Sequence, residues 1–384
     1  MTAARTFGRL RQSHPEQQPT NNNRRNQKRE NEMKSKMLSA LVWTGVMALS
    51  LVAGSNVYGF GYGYGAVATG GTTAYKVTNL NDSGAGSFRT GVTTSGNNVT
   101  FSVSGTIVLK SEVGIASNVT IDGTTANITL VSNTCSFSGS HNIIIKNLRF
   151  REGLAGSSGK CSLQGSDCYS IMVDHCSIEM GRWDCFECTG SSSNVTVEYC
   201  IIGQGVDPQY FGGLFDGENR MSIHHNLWID NNNRNPKLKA NSQYINNVLY
   251  NWIDAGGLQG GHSSAAWKSD FINNYFIKGP LSANNDWIND CTANDQWYVS
   301  GNYYDLDNGG TLNGTAIPNS AFTAFGVTIL SSQQYSSPSI PTDTAASAVS
   351  QAAGGSWGCQ PIDSFDSTLL GYLKSYGKSG RKGP

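Results

Sequence analysis

Three cations fall within six residues at Arg234-Asn-Pro236-Lys237-Leu-Lys239, and the proline among them holds the backbone extended. Such a cluster on a loop beside a groove can bind the carboxylates of an acidic polymer. A solvated basic loop is an equally good reading of these residues alone. Upstream, Arg182-Trp183-Asp184-Cys185-Phe186-Glu187-Cys188 combines an arginine, an aromatic ring that can stack on a sugar or lie buried, two acids and a C-x-x-C spacing. No second cysteine pair completes four ligands, so a structural role for these thiols outweighs zinc or redox chemistry. Asp174-His175 is a further acid–imidazole neighbour. Successive pleat directions send one to the core and the other to the surface. His175 aligns with Tyr199, His225 and Asn247, which favours a stacked structural role over general acid–base catalysis.

The elements that must position these groups form a ladder. Strand-like stretches place β-branched residues at Ile121, Ile145, Val173, Val197, Ile223, Ile245, Ile272 and Val299, in steps of 24, 28, 24, 26, 22, 27 and 27 residues. One extended segment per 22–28 residues, followed by Asn, Asp, His or Gly, is the mark of a solenoid whose coils bury apolar faces against one another. The expected fold is all-β, a right-handed parallel β-helix of eight or more coils with capping segments. A groove along its side suits an extended polymer. Asn246, Asn247, Asn273, Asn274 and Asn302 read as a turn ladder that satisfies backbone groups between coils. Residues 75–89 read as a strand, a turn and a short helix around Ser83 to Ser87 that closes one open end.

The chain has 384 residues and divides into a leader (1–55), a solenoid (56–345) and a C-terminal segment (346–384) that packs on the solenoid and ends in a frayed tail. Lys34-Ser-Lys36, the apolar run Met37 to Ala53 and Ala53-Gly54-Ser55 form a secretory signal; the run is marginal as a membrane span. Residues 1–55 hold nine of the 27 Lys and Arg and three of the 27 acids, so the remainder carries 18 minus 24, or −6. That balance disfavours nucleic acid as a partner and requires a local patch of cations, or a metal, for any anionic ligand. Nine cysteines, all beyond the leader, agree with an oxidising compartment. Cys176 and Cys200 should stack on adjacent coils, as a disulfide or as packed thiols.

Three segments together resemble polysaccharide lyase family 1, the pectate and pectin lyases. These are Val77 to Arg89 with Val103-Ser-Gly-Thr-Ile107 and Asn118 to Gly123; Ile171-Met-Val-Asp174-His175-Cys-Ser177; and His224 to Trp228 with Arg234 to Lys239 and Asn246 to Trp252. The resemblance spans about residues 59 to 305. It implies β-elimination on (1→4)-α-galacturonan, with Arg234 removing the C5 proton and Lys237 and Lys239 binding substrate. It also implies Ca²⁺ held by Asp184 and Glu187, and a secreted monomer acting on plant-cell-wall polygalacturonate or pectin, away from membranes and nucleic acid.

The sequence departs from the family pattern in places. An expected acidic pair upstream of Asp174 is replaced by Cys161-Ser-Leu-Gln-Gly, and no lysine stands between Gln204 and Phe211. Met180-Gly181-Arg182 resembles the pectin lyase pattern, in which an arginine replaces calcium; Arg182 and Trp183 would then bind methylated substrate. A noncatalytic polysaccharide-binding β-helix is the third reading. A hydrolase on this scaffold would need paired carboxylates about 5–9 Å apart; the ladder shows no close Asp-Asp pair, and Gly261-His262-Ser263 does not complete a Gly-His-Gly stretch.

Overall fold

The computed structural model describes residues 61–384, apart from Ala255 and the side chains of Glu218 and Asn219. The expected leader and secretory signal lie outside the described residues. The chain winds into a parallel β-helix of about ten turns. A 17-stranded sheet comprises two rows of short strands joined by the long strands Phe211–His224 and Lys237–Ile245, and a separate 10-stranded sheet forms the third side. Groove row, middle row and back row name them in the order the chain visits them in each turn. Pairing is parallel except between Tyr303–Asp305 and Thr315–Ala316.

The ladder holds for its first five rungs: Ile121, Ile145, Val173, Val197 and Ile223 pair in turn along the middle row. It then slips. Ile223 faces Tyr244, which faces Phe271, which faces Val299. Ile245 and Ile272 sit one residue beyond the expected slot, because aromatic rings occupy the inward positions of these wider turns. Tyr244 and Phe271 stack at 4.9 Å, and Phe271 and Trp297 at 4.9 Å. In the back row, Leu130, Phe150, Ile178, Ile202, Trp228, Leu249 and Phe276 form an unbroken inward column. A side chain of this kind contributes about 1.5–3 kcal/mol when fully buried.

The turn from middle to back row repeats one device. A residue with positive φ closes each strand, from Asn147 (58°) through His175 (48°), Tyr199 (52°), His225 (55°) and Asn246 (53°) to Asn273 (53°). His225 therefore aligns with Asn246 and not with Asn247. The rings of His175, Tyr199 and His225 stack at 5.0 and 4.8 Å, and Asp174 bonds the His175 ring. This supports a structural role for that histidine. The next position carries the amide ladder: Asn226, Asn247, Asn274 and Asn302 each accept from the backbone N–H one turn earlier. Their amide nitrogens donate to Val197, Ile223, Tyr244 and Phe271 carbonyls. Of the expected ladder residues, Asn246 and Asn273 do a different job and bond the Asp343 carbonyl.

All nine cysteines are free thiols, so the expectation of a disulfide is not met. Cys176 and Cys200 stack on adjacent turns as packed thiols, with the Cys176 N–H donating to Cys200 Sγ at 3.4 Å. They fill the inward slot that asparagine takes in the following turns.

Both exposed flanks are covered. The helix α1 (Phe88–Val92), capped by Ser87, buries Phe88 and Val92 against the first turn. After a short helix α2 (Asn319–Ala324), helices α3 (Ala345–Gly354) and α4 (Ser364–Lys374) cover the outer face of the back row, packing on Ile201, Leu227, Ile229, Val248 and Tyr250. Fully buried Arg149 meets Asp366 on α4 at 3.3 Å, and Arg151 meets Asp363 and Asp366. The expected frayed tail is instead seated. Tyr250 Oη donates to the Ser379 carbonyl, Gln204 Nε2 donates to the Arg381 carbonyl at 2.9 Å, and the Asp207 N–H donates to a Pro384 oxygen at 3.2 Å. Polar and glycine-rich composition did not reveal that these contacts satisfy buried groups.

Candidate active site

Register sets the site on the outer face of the groove row. Phe186, Cys188, Phe215 and Leu238 point inward, so alternation turns Glu187, Leu214, Asp216, Lys237 and Lys239 outward. Glu187, Leu214, Lys237 and Gln259 stand opposite one another on successive turns, and Asp216 stands opposite Lys239. At about 4.8 Å per strand, Glu187 and Lys237 are roughly 10 Å apart along the groove.

Arg234 enters from the turn before this row with φ 55°. Around it, Asn231 Nδ2 donates to Asn235 Oδ1 at 2.8 Å, Asn235 Nδ2 donates to the Gly257 carbonyl at 3.1 Å, and Tyr244 Oη donates to the Asn235 carbonyl at 3.0 Å. The Arg234 carbonyl accepts from the Gly213 N–H at 2.7 Å. A Cβ on Gly212 would lie 2.5 Å from that oxygen, so this approach demands glycine. Thus anchored, the guanidinium lies 4.0 Å from the Phe211 ring centroid and 5.5 Å from that of Trp183. It donates to Asp184 Oδ2 at 3.0 Å.

Asp184 is fully buried, and its Oδ1 has no hydrogen-bond partner among the described residues. Burial pushes its carboxyl up to about 7, with Glu187 pushing the same way and Arg234 opposing. Ligand atoms of Cys161, Asp184 and Glu187 lie within 4.8 Å of one another, and Cys161 Sγ donates to Glu187 Oε2 at 3.2 Å. Burial and the two acids hold the Cys161 thiol well above its usual range. Two carboxylates, one with a free buried oxygen, suit a hard divalent cation that takes its other oxygens from water and substrate. The thiol is not such a donor.

The remaining candidates divide. Lys237 has no ion-pair partner within 4 Å among the described residues, and burial followed by the Arg234 charge depresses its ammonium pKa. Lys239 is paired with Asp216, which the sequence reading missed because their contact comes from stacked turns. Arg182 donates to the Gly156 carbonyl at 2.9 Å and the Asp207 carbonyl at 3.0 Å, tying two rim loops together. Trp183 is half-buried, edge-on to Phe211 at 5.9 Å. Phe211 and Cys161 also went unread: the first carried no motif, and the second stood where an acid was expected.

One outer face of a parallel β-helix thus carries an arginine held against a buried carboxylate and lysines along one strip, groups that could hold an acidic polymer. No family model matches the chain. It is 38% identical over 327 residues to probable pectate lyase C of Aspergillus flavus, covering 83% of this chain and 77% of that protein. It is 38% identical over 324 residues to the protein of the same name from Aspergillus fumigatus, with the same coverage. Among solved structures, a thermostable pectate lyase, PL 47, superposes with a TM-score of 0.58 at 14% identity over 80% of this chain and 98% of that one. A pectate lyase bound to hexasaccharide gives 0.57 at 17% identity over 81% and 100%; at these identities the superpositions speak for the fold. The chain belongs to the pectate lyase family and is a polysaccharide lyase.

Proposed function

We propose that the protein cleaves (1→4)-α-galacturonan by β-elimination, releasing unsaturated oligogalacturonates, with Arg234 as the base. The observation that carries this reading is the Arg234 guanidinium, fixed by two aromatic faces and the buried Asp184 on the groove floor. In elimination the C5–H proton passes to a guanidine nitrogen, its electron pair forms the C4=C5 double bond, and the C4–O bond to the departing chain breaks. Solvent protonates the leaving oxygen. Arginine is a poor base in water, so the site must favour neutral guanidine. Lys237 stands close enough that, after burial, the Arg234 charge helps to depress its ammonium pKa.

Asp184 and Glu187 would hold Ca²⁺, which when bound neutralises a uronate carboxylate, acidifies its C5–H and competes with Arg234 for the Asp184 charge. Lys237 and Lys239 would bind neighbouring carboxylates, Lys239 by exchanging Asp216 for substrate. Trp183 would bound the sugar-facing wall. The Arg182 guanidinium, engaged by two loop carbonyls, shapes the rim. An extracellular polymer would agree with the secretory leader expected from the sequence, and a single chain supplies every group named.

Absorbance of the unsaturated product on polygalacturonate, with Ca²⁺ and with chelator, tests the reading. The expected outcome is chelator-sensitive absorbance that Arg234→Ala reduces on the order of 10²–10⁴-fold. Undiminished activity in that variant would sink the assignment of the base. Chelator-resistant activity on methylated pectin would replace the calcium reading.

A further inference from the structure

Residues 378–384 sit on a prepared seat. Buried Asp230 accepts from Gln204 Nε2 at 2.7 Å, from Asn251 Nδ2 and from the Arg381 N–H at 3.3 Å, while Arg381 Nε donates to Gln204 Oε1 at 3.3 Å. A Cβ on Gly380 would lie 2.2 Å from Asn251 Nδ2, and one on Gly383 2.2 Å from the Gly205 carbonyl oxygen. Two glycines and a buried polar network therefore fix where residues 381 and 382 lie.

That position adjoins the turns that lead from the back row into the groove row. Lys382 Nζ stands 3.6 Å from the Tyr210 ring centroid. The Tyr210 carbonyl accepts from the Asn232 N–H at 2.6 Å, and the Gly212 N–H donates to the Asn233 carbonyl at 3.1 Å. Tyr210 is thus bonded to the turn that carries Arg234, and it immediately precedes Phe211, on which Arg234 lies. Among the cations near this groove, Arg182, Arg234 and Lys239 each meet an acid. Lys382 is exposed and, among the described residues, has no ion-pair partner.

We propose that Lys382 is a substrate-binding residue, delivered by the folded-back tail to hold a carboxylate of the uronate polymer beside Tyr210. The inference rests on the reading of the groove given above. A cation held only by an aromatic face keeps its donors free for an incoming anion, and a rim charge acts on binding more than on the chemical step.

Retention on immobilised polygalacturonate, measured against NaCl for the wild type, Lys382→Ala and Lys382→Arg, tests it alongside the thermal midpoint and steady-state kinetics. Lys382→Ala should bind about two- to fivefold more weakly, the scale of one exposed charge pair, with KM raised by the same factor and kcat and the midpoint unchanged. Lys382→Arg should restore retention, which a purely structural role would not predict. Retention indifferent to Lys382→Ala, or weakened only together with the midpoint, would overturn the proposal. A retained wild type without lyase activity would refute the proposed reaction while still reporting on Lys382; a wild type not retained at all would remove both.

Discussion

The two oxygens of Asp184 have different surroundings. Oδ2 takes the Arg234 N–H at 3.0 Å, whereas Oδ1 lies buried with no partner among the described residues, an expensive arrangement unless a ligand completes it. Asp184→Asn keeps the shape and removes the charge. Ca²⁺ affinity, read by calorimetry without substrate, should fall on the order of 10–100-fold; unchanged affinity would mean that the cation binds elsewhere. Arg234, Lys237 and Lys239 could be named as candidates because three cations stand together in the sequence. Asp216 and Cys161 were not, since their partners Lys239 and Glu187 lie 23 and 26 residues away and meet only when turns stack. Arg182 read as substrate-binding from its neighbours, yet the backbone oxygens of two loops engage it first.

The amide ladder is the element that couples the turns. Asn247 accepts from the Asn226 backbone N–H at 3.2 Å and donates to the Ile223 carbonyl at 2.8 Å, all buried. Asn247→Ala strands these groups, and the expected loss in urea unfolding is about 2–4 kcal/mol. A loss below about 0.5 kcal/mol would show that the ladder is dispensable. The solenoid itself could be read from β-branched spacing because each turn repeats one buried slot. The slip at Ile245 could not: Tyr244 and Phe271 fill the slot with rings, and a spacing argument built on β-branched residues counts the neighbour instead. The seat of the tail was equally hidden, because a polar segment that satisfies buried Gln204 and Asp230 has the same composition as one that satisfies nothing.

Across the whole molecule, buried acids tie stability to pH. Burial raises the Asp230 carboxyl from 3.8 to about 7, against the donors from Asn251, Arg381 and Gln204, and burial likewise lifts Glu152 to about 7. The folded state therefore holds protons that the unfolded chain releases above about 4. The stabilising contribution is full below the unfolded value and is lost as pH rises through about 7. The thermal midpoint should fall between pH 5 and pH 8, with Asp230 accounting for about 2–3 kcal/mol of the loss in that window. Asp230→Asn should flatten that slope; an unaltered slope would place its origin in other groups.

Parallel pairing has one more consequence. Because every strand of the groove row runs the same way and no symmetry axis relates its two ends, the groove has a head and a foot. A galacturonan chain also has two unlike ends, so lying in the groove forwards or backwards presents different oxygens to Arg234. On the reading proposed above, the productive polarity is the one that brings a C5 hydrogen and its departing C4 oxygen to Arg234 together.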